Sequence, residues 1–519
     1  MRLTVGILDA NSGWHLLLQQ VGVAWEALGD EREILPQNYS VIIVNKEPTA
    51  SERKALRSYL VNGGAVLSIN GKGSSIIGSN STKTSSTTIA PQEFPNFTPT
   101  DMIDVYSNGS KEKNFPDDVS METSGWYSSG KIARGFFISI PIDFGETISN
   151  SRSCRKNFYF TKERLPSEVV ARTSKGTLRK LFMDLLALLH HKRNLPFAHK
   201  WFFPENTQTM FTFRVDSDKG SREEVMSLHD VCKQYDVAAM WFLDTKSHQT
   251  WLSDFQNFGN QEAGIHCYDH RTYHSREKNL RNFAIAQMLF HGAGLSASGA
   301  AAPYGTWNEA IAKTFSEMGI TFSSEFSYDY DDFPLFPLVE GTPSSVLQIP
   351  IHPICPGSLR RASYSREEMK SYFRAVMEKK IAEREIINLY HHPTHHYNDV
   401  IEFVFQFLKE HGIRNISYSG YATWWKKRLT HSSAINYDNE KDTLAFSTPS
   451  NKSDVRWRIF FPDQQEAIIP AENIIQISKL HKQRWTMQYT PPTDINRTRR
   501  FDFRHPIINV LDEWYKRTQ

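Results

Sequence analysis

Phe211-Thr212-Phe213-Arg214-Val215-Asp216-Ser217-Asp218 is the stretch on which the fold turns. Aromatic and β-branched residues make its first half a β-strand. Two carboxylates, Asp216 and Asp218, stand where the strand pattern gives out. A short apolar strand that releases acids at its C-terminal edge is how α/β barrels build active sites. By itself the pair reads as a cap or turn before a helix at Ser221–Tyr235. Gly264-Ile265-His266-Cys267-Tyr268-Asp269-His270 changes that weighing. Two imidazoles and a carboxylate suit zinc, iron, nickel or cobalt. A spacing of four predicts that His266 and His270 share one side of a helical turn. Asp269 is placed to cap that turn or to orient a ligand histidine.

Working outward, the βα alternation continues. The sequence predicts a helix over Ser221–Tyr235, a strand over Val237–Leu243, helices over Leu280–His291 and Trp307–Met318, and a strand over Glu385–Tyr390. About seven βα repeats between Pro196 and Leu429 predict a distorted (β/α)7 barrel. The last strand runs into His391-His392-Pro393. A departing amine needs a proton, so one of these histidines is a candidate general acid. Strand alternation sends the two to opposite faces, and the sequence leaves open which faces the site.

Residues 1–195 read as a separate domain. Arg2–Leu8 is expected as a strand, His15–Leu28 as a helix, and Ser40–Asn45 as a buried parallel strand. Thr49 and Glu52 form a capping box before a helix over Ser51–Val61. Asn62-Gly63-Gly64 stops it, and Ala65–Ile69 is the next strand. This alternation predicts a doubly wound, flavodoxin-like parallel sheet. Gly71 and Gly73 match no complete phosphate-loop pattern and read as a turn. Ser74–Pro91 is expected as a mobile surface loop, Lys131–Phe144 as a strand, and Thr177–His190 as an amphipathic helix. Asn194-Leu195-Pro196 breaks the chain.

From Thr430 to Gln519 the period changes to two. Val455, Trp457, Ile459 and Phe461 alternate with polar residues, as do Trp485, Met487 and Tyr489. A small β-sandwich is predicted. Arg497, Arg499, Arg500 and Arg504 form a basic cluster, read first as a solvated face.

The whole chain of 519 residues is long enough for roughly three domains. Its net charge of +3 gives no electrostatic case for nucleic acid. No stretch approaches the ~20 apolar residues of a membrane span. The N-terminal run lacks the apolar core of a signal peptide. Cys154, Cys232, Cys267 and Cys355 have no paired spacing and read as free thiols of a reducing compartment. The expectation is a cytoplasmic protein, with peripheral attachment to the inner membrane left open.

Two resemblances follow. Tyr59-Leu60-Val61-Asn62-Gly63-Gly64-Ala65-Val66-Leu67 is similar to the class I glutamine-amidotransferase-like fold. Catalytic members carry a cysteine at a strand-to-helix elbow; here Asn70-Gly71-Lys72-Gly73 follows the strand, so a non-catalytic domain is implied. The central region resembles the NodB-type polysaccharide deacetylases, carbohydrate esterase family 4, over a little under half the chain. It does so through Asp216 and Asp218, His266 and His270, Ala301-Ala302-Pro303-Tyr304-Gly305, and Leu389-Tyr390-His391-His392-Pro393. Arg214-Val215-Asp216-Ser217-Asp218 and His266-Cys267-Tyr268-Asp269-His270 are closest to the deformylase of the lipid A aminoarabinose pathway.

The resemblance implies a metal-dependent N-deacylase that removes acetyl or formyl from an N-acylated sugar. Asp218, His266 and His270 would hold the metal, zinc first. Asp216 would act as base, the Tyr304 backbone N–H as oxyanion donor, and His391 or His392 as acid. The chain departs from the family pattern at Ala301, where the family has an arginine, and Arg214 is the candidate substitute. Ser217 separates the two acids, so the roles of Asp216 and Asp218 are open to exchange. Asp329, Asp331 and Asp332 loosely echo the family's downstream acidic motif. The implied substrate is a lipid-linked or nucleotide-linked glycan of surface polysaccharide or lipopolysaccharide synthesis, with oligomerisation open. The alternatives are an inactive carbohydrate-binding protein on the same barrel, or a metal amidohydrolase with a non-sugar substrate.

Overall fold

A computed structural model describes residues 1–29, 33–89, 102–116, 119–124, 126–158, 165–448, 454–484 and 501–518. Contacts divide the chain into two compact units, each made of separated stretches. One comprises Met1–Ser149, Thr173–Thr207 and Lys426–Met487; the other comprises Asn150–Arg172, Gln208–Trp425 and Gln488–Gln519. This partition differs from three consecutive stretches because Phe197–Lys200 pairs antiparallel with Trp457–Phe460. Among the described residues, no helix is long and apolar enough to cross a membrane.

The first unit contains a seven-stranded sheet in the order Trp25–Ala27, Val5–Ile7, Val41–Val44, Ala65–Ile69, Gly135–Ile140, Tyr127–Ile132, Val119–Ser124. The first five run parallel, and Tyr127–Ile132 pairs antiparallel with both Gly135–Ile140 and Val119–Ser124. Val41–Val44 is buried throughout, as an apolar run without alternation requires. Thr49 and Glu52 form the expected capping box on Ala50–Val61. Lys175–Lys192 buries Leu178, Leu181, Phe182, Leu185, Leu186 and Leu189.

Three expectations need correction. The first helix covers Ser12–Val21 and ends at Gly22, whose φ of 83° the absence of a Cβ permits. Trp25–Ala27 beyond it is a strand paired with Val5–Ile7. The Ser/Thr tract contains a short helix, Ser74–Ile77, and a strand, Asn80–Ile89, paired with Ile103–Lys113. Threonine's branched Cβ favours that extended backbone. Pro91 lies outside the described residues. Lys131–Phe144 is a hairpin turned at Ala133 and Arg134, followed by a helix from Phe144; Ala133 has a φ of 48°.

The period-two region forms two antiparallel sheets over one core that includes Trp457, Ile459, Phe446 and Ile469. Leu3, Leu195 and Ala198 join that core, so the sheets recruit residues from outside 430–519. That C-terminal stretch also holds a helix, described below. Trp485, Met487, Tyr489, Arg497, Arg499 and Arg500 lie outside the described residues, and Arg504 pairs with Asp502.

The second unit is built on parallel strands: β1 (Met210–Asp216), β2 (Ala239–Asp244), β3 (Glu262–Cys267), β4 (Gly299–Ala300), β5 (Phe322–Ser323), β6 (Leu347–Gln348), β7 (Ile387–His391) and β8 (Arg414–Asn415). Their order is β6-β5-β4-β3-β2-β1-β7, with β8 also paired to β1. Helices α1 (Arg222–Gln234), α2 (Arg276–Gly292), α3 (Glu309–Glu317), α4 (Pro356–Arg361), α5 (Arg366–Glu383) and α6 (Asn398–Glu410) intervene, and α7 (His505–Thr518) comes last. The sheet curls. Just beyond β6, the His352 N–H donates to the Asn388 carbonyl on β7, and Asn388 Nδ2 donates to the Pro350 carbonyl. These bonds join the two ends of the strand order as a half-barrel with short β4, β5 and β6. β1 is buried at every position, Thr212, Arg214 and Asp216 included.

Candidate metal centre and active site

Asp216 is the last residue of β1, and Asp218 follows one turn residue later. Alternation puts Arg214 on the same face as Asp216. Arg214 is fully buried. Its Nε and Nη2 donate to the two oxygens of Asp216 at 2.5 and 2.6 Å, a fork-to-fork pair. A third donor, Nη1, bonds the Ser324 carbonyl beyond β5. Burial pushes the Asp216 carboxyl up, but Arg214 and then His266 outweigh it and hold the group below its ordinary value.

Asp218 takes a left-handed φ of 41°, which aspartate tolerates better than most residues. This turn aims its carboxylate at β3. His266 Nε2 lies 3.3 Å and His270 Nε2 3.2 Å from Asp218 Oδ1, and the two nitrogens are 3.1 Å apart. The three atoms therefore converge. Ligands held about 2.0–2.1 Å from a tetrahedral zinc stand about 3.3 Å from one another, so the donor set fits such an ion. His266 Nδ1 lies 2.9 Å from the Ala301 carbonyl; donating there leaves Nε2 with its lone pair toward the other two. Asp218 Oδ1 is buried without a hydrogen-bond partner. Burial pushes the Asp218 carboxyl up, but His392 and His270 pull it well below its ordinary value.

The two histidines do not share a helical turn. His266 is on β3 and His270 is in the loop after it. The loop is clamped by Asn282 of α2, whose Oδ1 accepts from the Tyr268 and Asp269 N–H groups. Asn282 Nδ2 donates to the Asp269 and Arg271 carbonyls. The side chain of Asp269 turns away and accepts from Lys246 Nζ at 2.7 Å. The group that orients His266 is the Ala301 carbonyl.

Of the histidine pair at the end of β7, His392 faces the carboxylates. Its Nε2 is 3.8 Å from Asp216 and 3.7 Å from Asp218. Burial pushes its pKa down, but Asp218 and then Cys355 raise it to about 9. His391 is fully buried with neither ring nitrogen hydrogen-bonded. Burial, reinforced by His395, keeps it well below the ordinary value and so neutral. Tyr304 has a φ of 61° in the one-turn segment Pro303–Gly305, and its ring packs edge-on to His270 at 4.7 Å. Asp331 is drawn elsewhere, to His352 at 2.8 Å and Lys380 at 3.2 Å.

Sequence reasoning missed several supports. Ser217 Oγ is 2.7 Å from His248 Nε2 and accepts from the Asp244 N–H, which pins the turn between the acids. Glu325 is buried and accepts from the Ala302 N–H, Ser323 Oγ and Gln348 Nε2. Cys355 and His395 lie beside His392. Burial pushes the Cys355 thiol up, but His392 and His395 outweigh it and hold it well below its ordinary value. None of these residues sits in a recognisable local spacing. A cavity of about 960 Å³ reaches Asp216, Asp218, His266, His270 and His392, and its wall also includes Trp307 and Arg361.

No family model and no curated protein matches the chain. Solved structures do. A probable polysaccharide deacetylase from Pseudomonas aeruginosa PAO1 matches at 14% identity and a TM-score of 0.38, over 44% of this chain and 93% of that one. PuuE allantoinase matches at 14% identity and a TM-score of 0.38, over 44% and 94%. A family 4 carbohydrate esterase pseudoenzyme from Bacillus anthracis matches at 14% identity and a TM-score of 0.30, over 42% and 66%.

Proposed function

We propose that the protein is a metal-dependent N-deacylase acting on an N-acylated sugar. The observation that carries this is the convergence of Asp218 Oδ1, His266 Nε2 and His270 Nε2 within 3.1–3.3 Å, beside Asp216 and His392. The three convergent side chains would hold a divalent cation, zinc first, with iron, nickel or cobalt as alternatives. When bound, such a cation supplies Lewis-acid polarisation of an amide carbonyl and a water of lowered pKa.

The chain's own groups divide the remaining work. Asp216, kept ionised and fixed in direction by Arg214, accepts the proton of the attacking water. Arg214 is thus a positioning residue, in the place the family gives to an arginine where this chain has Ala301. His392 holds a proton at neutral pH and delivers it from Nε2 to the leaving amine. The Tyr304 backbone N–H serves as an oxyanion donor. His391 is buried and neutral, and its ring packs edge-on to His395. Distance supports Asp218 as the ligand and Asp216 as the base: Asp218 reaches both ring nitrogens, and Asp216 is occupied by Arg214.

Trp307, Tyr304 and Arg361 in the cavity wall suit a sugar that carries a phosphate or nucleotide. We therefore assign as substrate a lipid-linked or nucleotide-linked intermediate of surface polysaccharide or lipopolysaccharide synthesis. The four free cysteines are compatible with a reducing compartment, the cytoplasm. The parallel sheet of residues 1–195 would then be an amidotransferase-like module without its nucleophile.

The test is acetate and formate release from N-acyl sugars by the metal-loaded protein. Wild type should release one of them; Asp216→Asn should bind metal but release neither. Full activity in Asp216→Asn would overturn the mechanism.

A further inference from the structure

Beyond the Asp218 centre, the same cavity carries another set of ligand-type side chains, of which the proposed hydrolysis uses only the Nε2 edge of His392. Cys355, His392 and His395 offer donor atoms that lie within 4.8 Å of one another. Cys355 is buried and stands just before α4. His392 and His395 flank Pro393 and Thr394 in a one-turn 3₁₀ segment closed by the His395 N–H to the His392 carbonyl at 3.0 Å. Residues three apart eclipse in such a turn, and the two rings have their centroids 4.5 Å apart.

Both rings present an unsatisfied nitrogen. His392 turns Nε2 to Asp216 and Asp218, and its Nδ1 is buried without a hydrogen bond. His395 Nδ1 is likewise buried without one. Gly357 makes room for the His395 ring: a Cβ there would stand 2.1 Å from Cε1 and 2.6 Å from Nδ1. A side chain at 357 would push that ring from Cys355.

We propose that Cys355 Sγ, His392 Nδ1 and His395 Nδ1 form a second cation site, selective for a thiophilic ion such as zinc or copper(I). One thiolate and two imidazoles are a soft donor set that magnesium and calcium do not favour. Donors about 2.0–2.3 Å from a shared zinc stand about 3.3–3.6 Å apart, so small rotations of the rings close the set. An ion on His392 Nδ1 places the ring's proton on Nε2, the nitrogen that faces Asp216 and Asp218. The site needs no deacylase activity, so its test is a binding measurement.

Metal-free, reduced, full-length protein is titrated with cobalt(II), and thiolate-to-cobalt charge-transfer absorption is recorded. The Asp218 centre has no sulfur and contributes none of that band. The band should appear in wild type and in His266→Ala, and vanish in Cys355→Ser. Gly357→Ala, which keeps every ligand, should weaken cobalt binding in this band by about tenfold or more. Circular dichroism checks that each variant is folded; should Cys355→Ser not fold, wild type and Gly357→Ala decide. A wild type without the band, a band that persists in Cys355→Ser, or an unchanged affinity in Gly357→Ala overturns the site. Loss of acyl release with the band intact would count against the deacylase reading alone.

Discussion

Arg214 and Asp216 show how one residue pair ties folding to chemistry. Both are buried, and each is the other's charge partner. Removing one partner of a buried pair leaves an uncompensated charge and costs about 3–5 kcal/mol. Arg214→Met and Asp216→Asn are each expected to lose about that much stability in urea unfolding, and each most of its turnover. Equal stability of Arg214→Met and wild type would show that the pair is not formed. A second titration belongs to Glu112, which is buried and accepts from Ser68 Oγ at 2.8 Å. Burial, against the pull of Ser68 and Ser139, raises it to about 6. A raised carboxyl contributes stability that is fully present below its unfolded value of about 4.3 and is lost as pH rises through about 6. The contribution is about 2 kcal/mol at about 1.4 kcal/mol per pKa unit. Glu112→Gln should flatten the pH dependence of unfolding between about pH 4 and 7; an unchanged slope would exclude Glu112 as its source.

At this scale the site was partly legible. The acids and the first two histidines stand in short local patterns with a chemical meaning, and the structure brings them together. The choice of His392 over His391 was not legible, because a strand end fixes only that the two diverge. Cys355 and His395 were invisible for a different reason. Forty residues separate them, and only the curl of the sheet between β6 and β7 closes that distance.

Among the elements, the loop after β3 decides the geometry of His270. Four hydrogen bonds with Asn282, two donated and two accepted by its side chain, shape it. Asn282 is a positioning residue that acts through the backbone of this loop. Asn282→Leu is expected to lower metal affinity about 10- to 100-fold, read by competition with a chelator, with secondary structure retained. Unchanged affinity would mean that the loop holds itself. The Ser221–Glu224 capping box starts α1 right after Asp218. Strong caps and wholly buried strands were readable because local chemistry sets them. The Ser/Thr strand Asn80–Ile89 was not, since its polar composition is that of a loop and only its partner strand reveals it. The first helix was read too long because Gly22 ends it within an apolar run.

At the scale of the whole molecule, the cluster proposed to hold the metal belongs entirely to the second unit. That unit gathers chain from three separated stretches, which no linear partition of the sequence conveys. Its last helix, α7, is tied on by Arg155, which donates to Asn509 Oδ1 at 2.7 Å and to Asp512, and by Asn157 with His505 at 2.9 Å. Leu511 and Trp514 of α7 are exposed and border the cavity. Truncation before residue 501 is expected to raise KM for a bulky substrate while leaving metal content unchanged. Loss of metal on truncation would give α7 a part in the centre itself.

The most direct measurement is anomalous diffraction at the zinc edge from crystals of the zinc-loaded protein. The account predicts a peak bonded to Asp218 Oδ1, His266 Nε2 and His270 Nε2 in wild type, and its disappearance in His266→Ala. No peak among those three atoms at saturating zinc would contradict it.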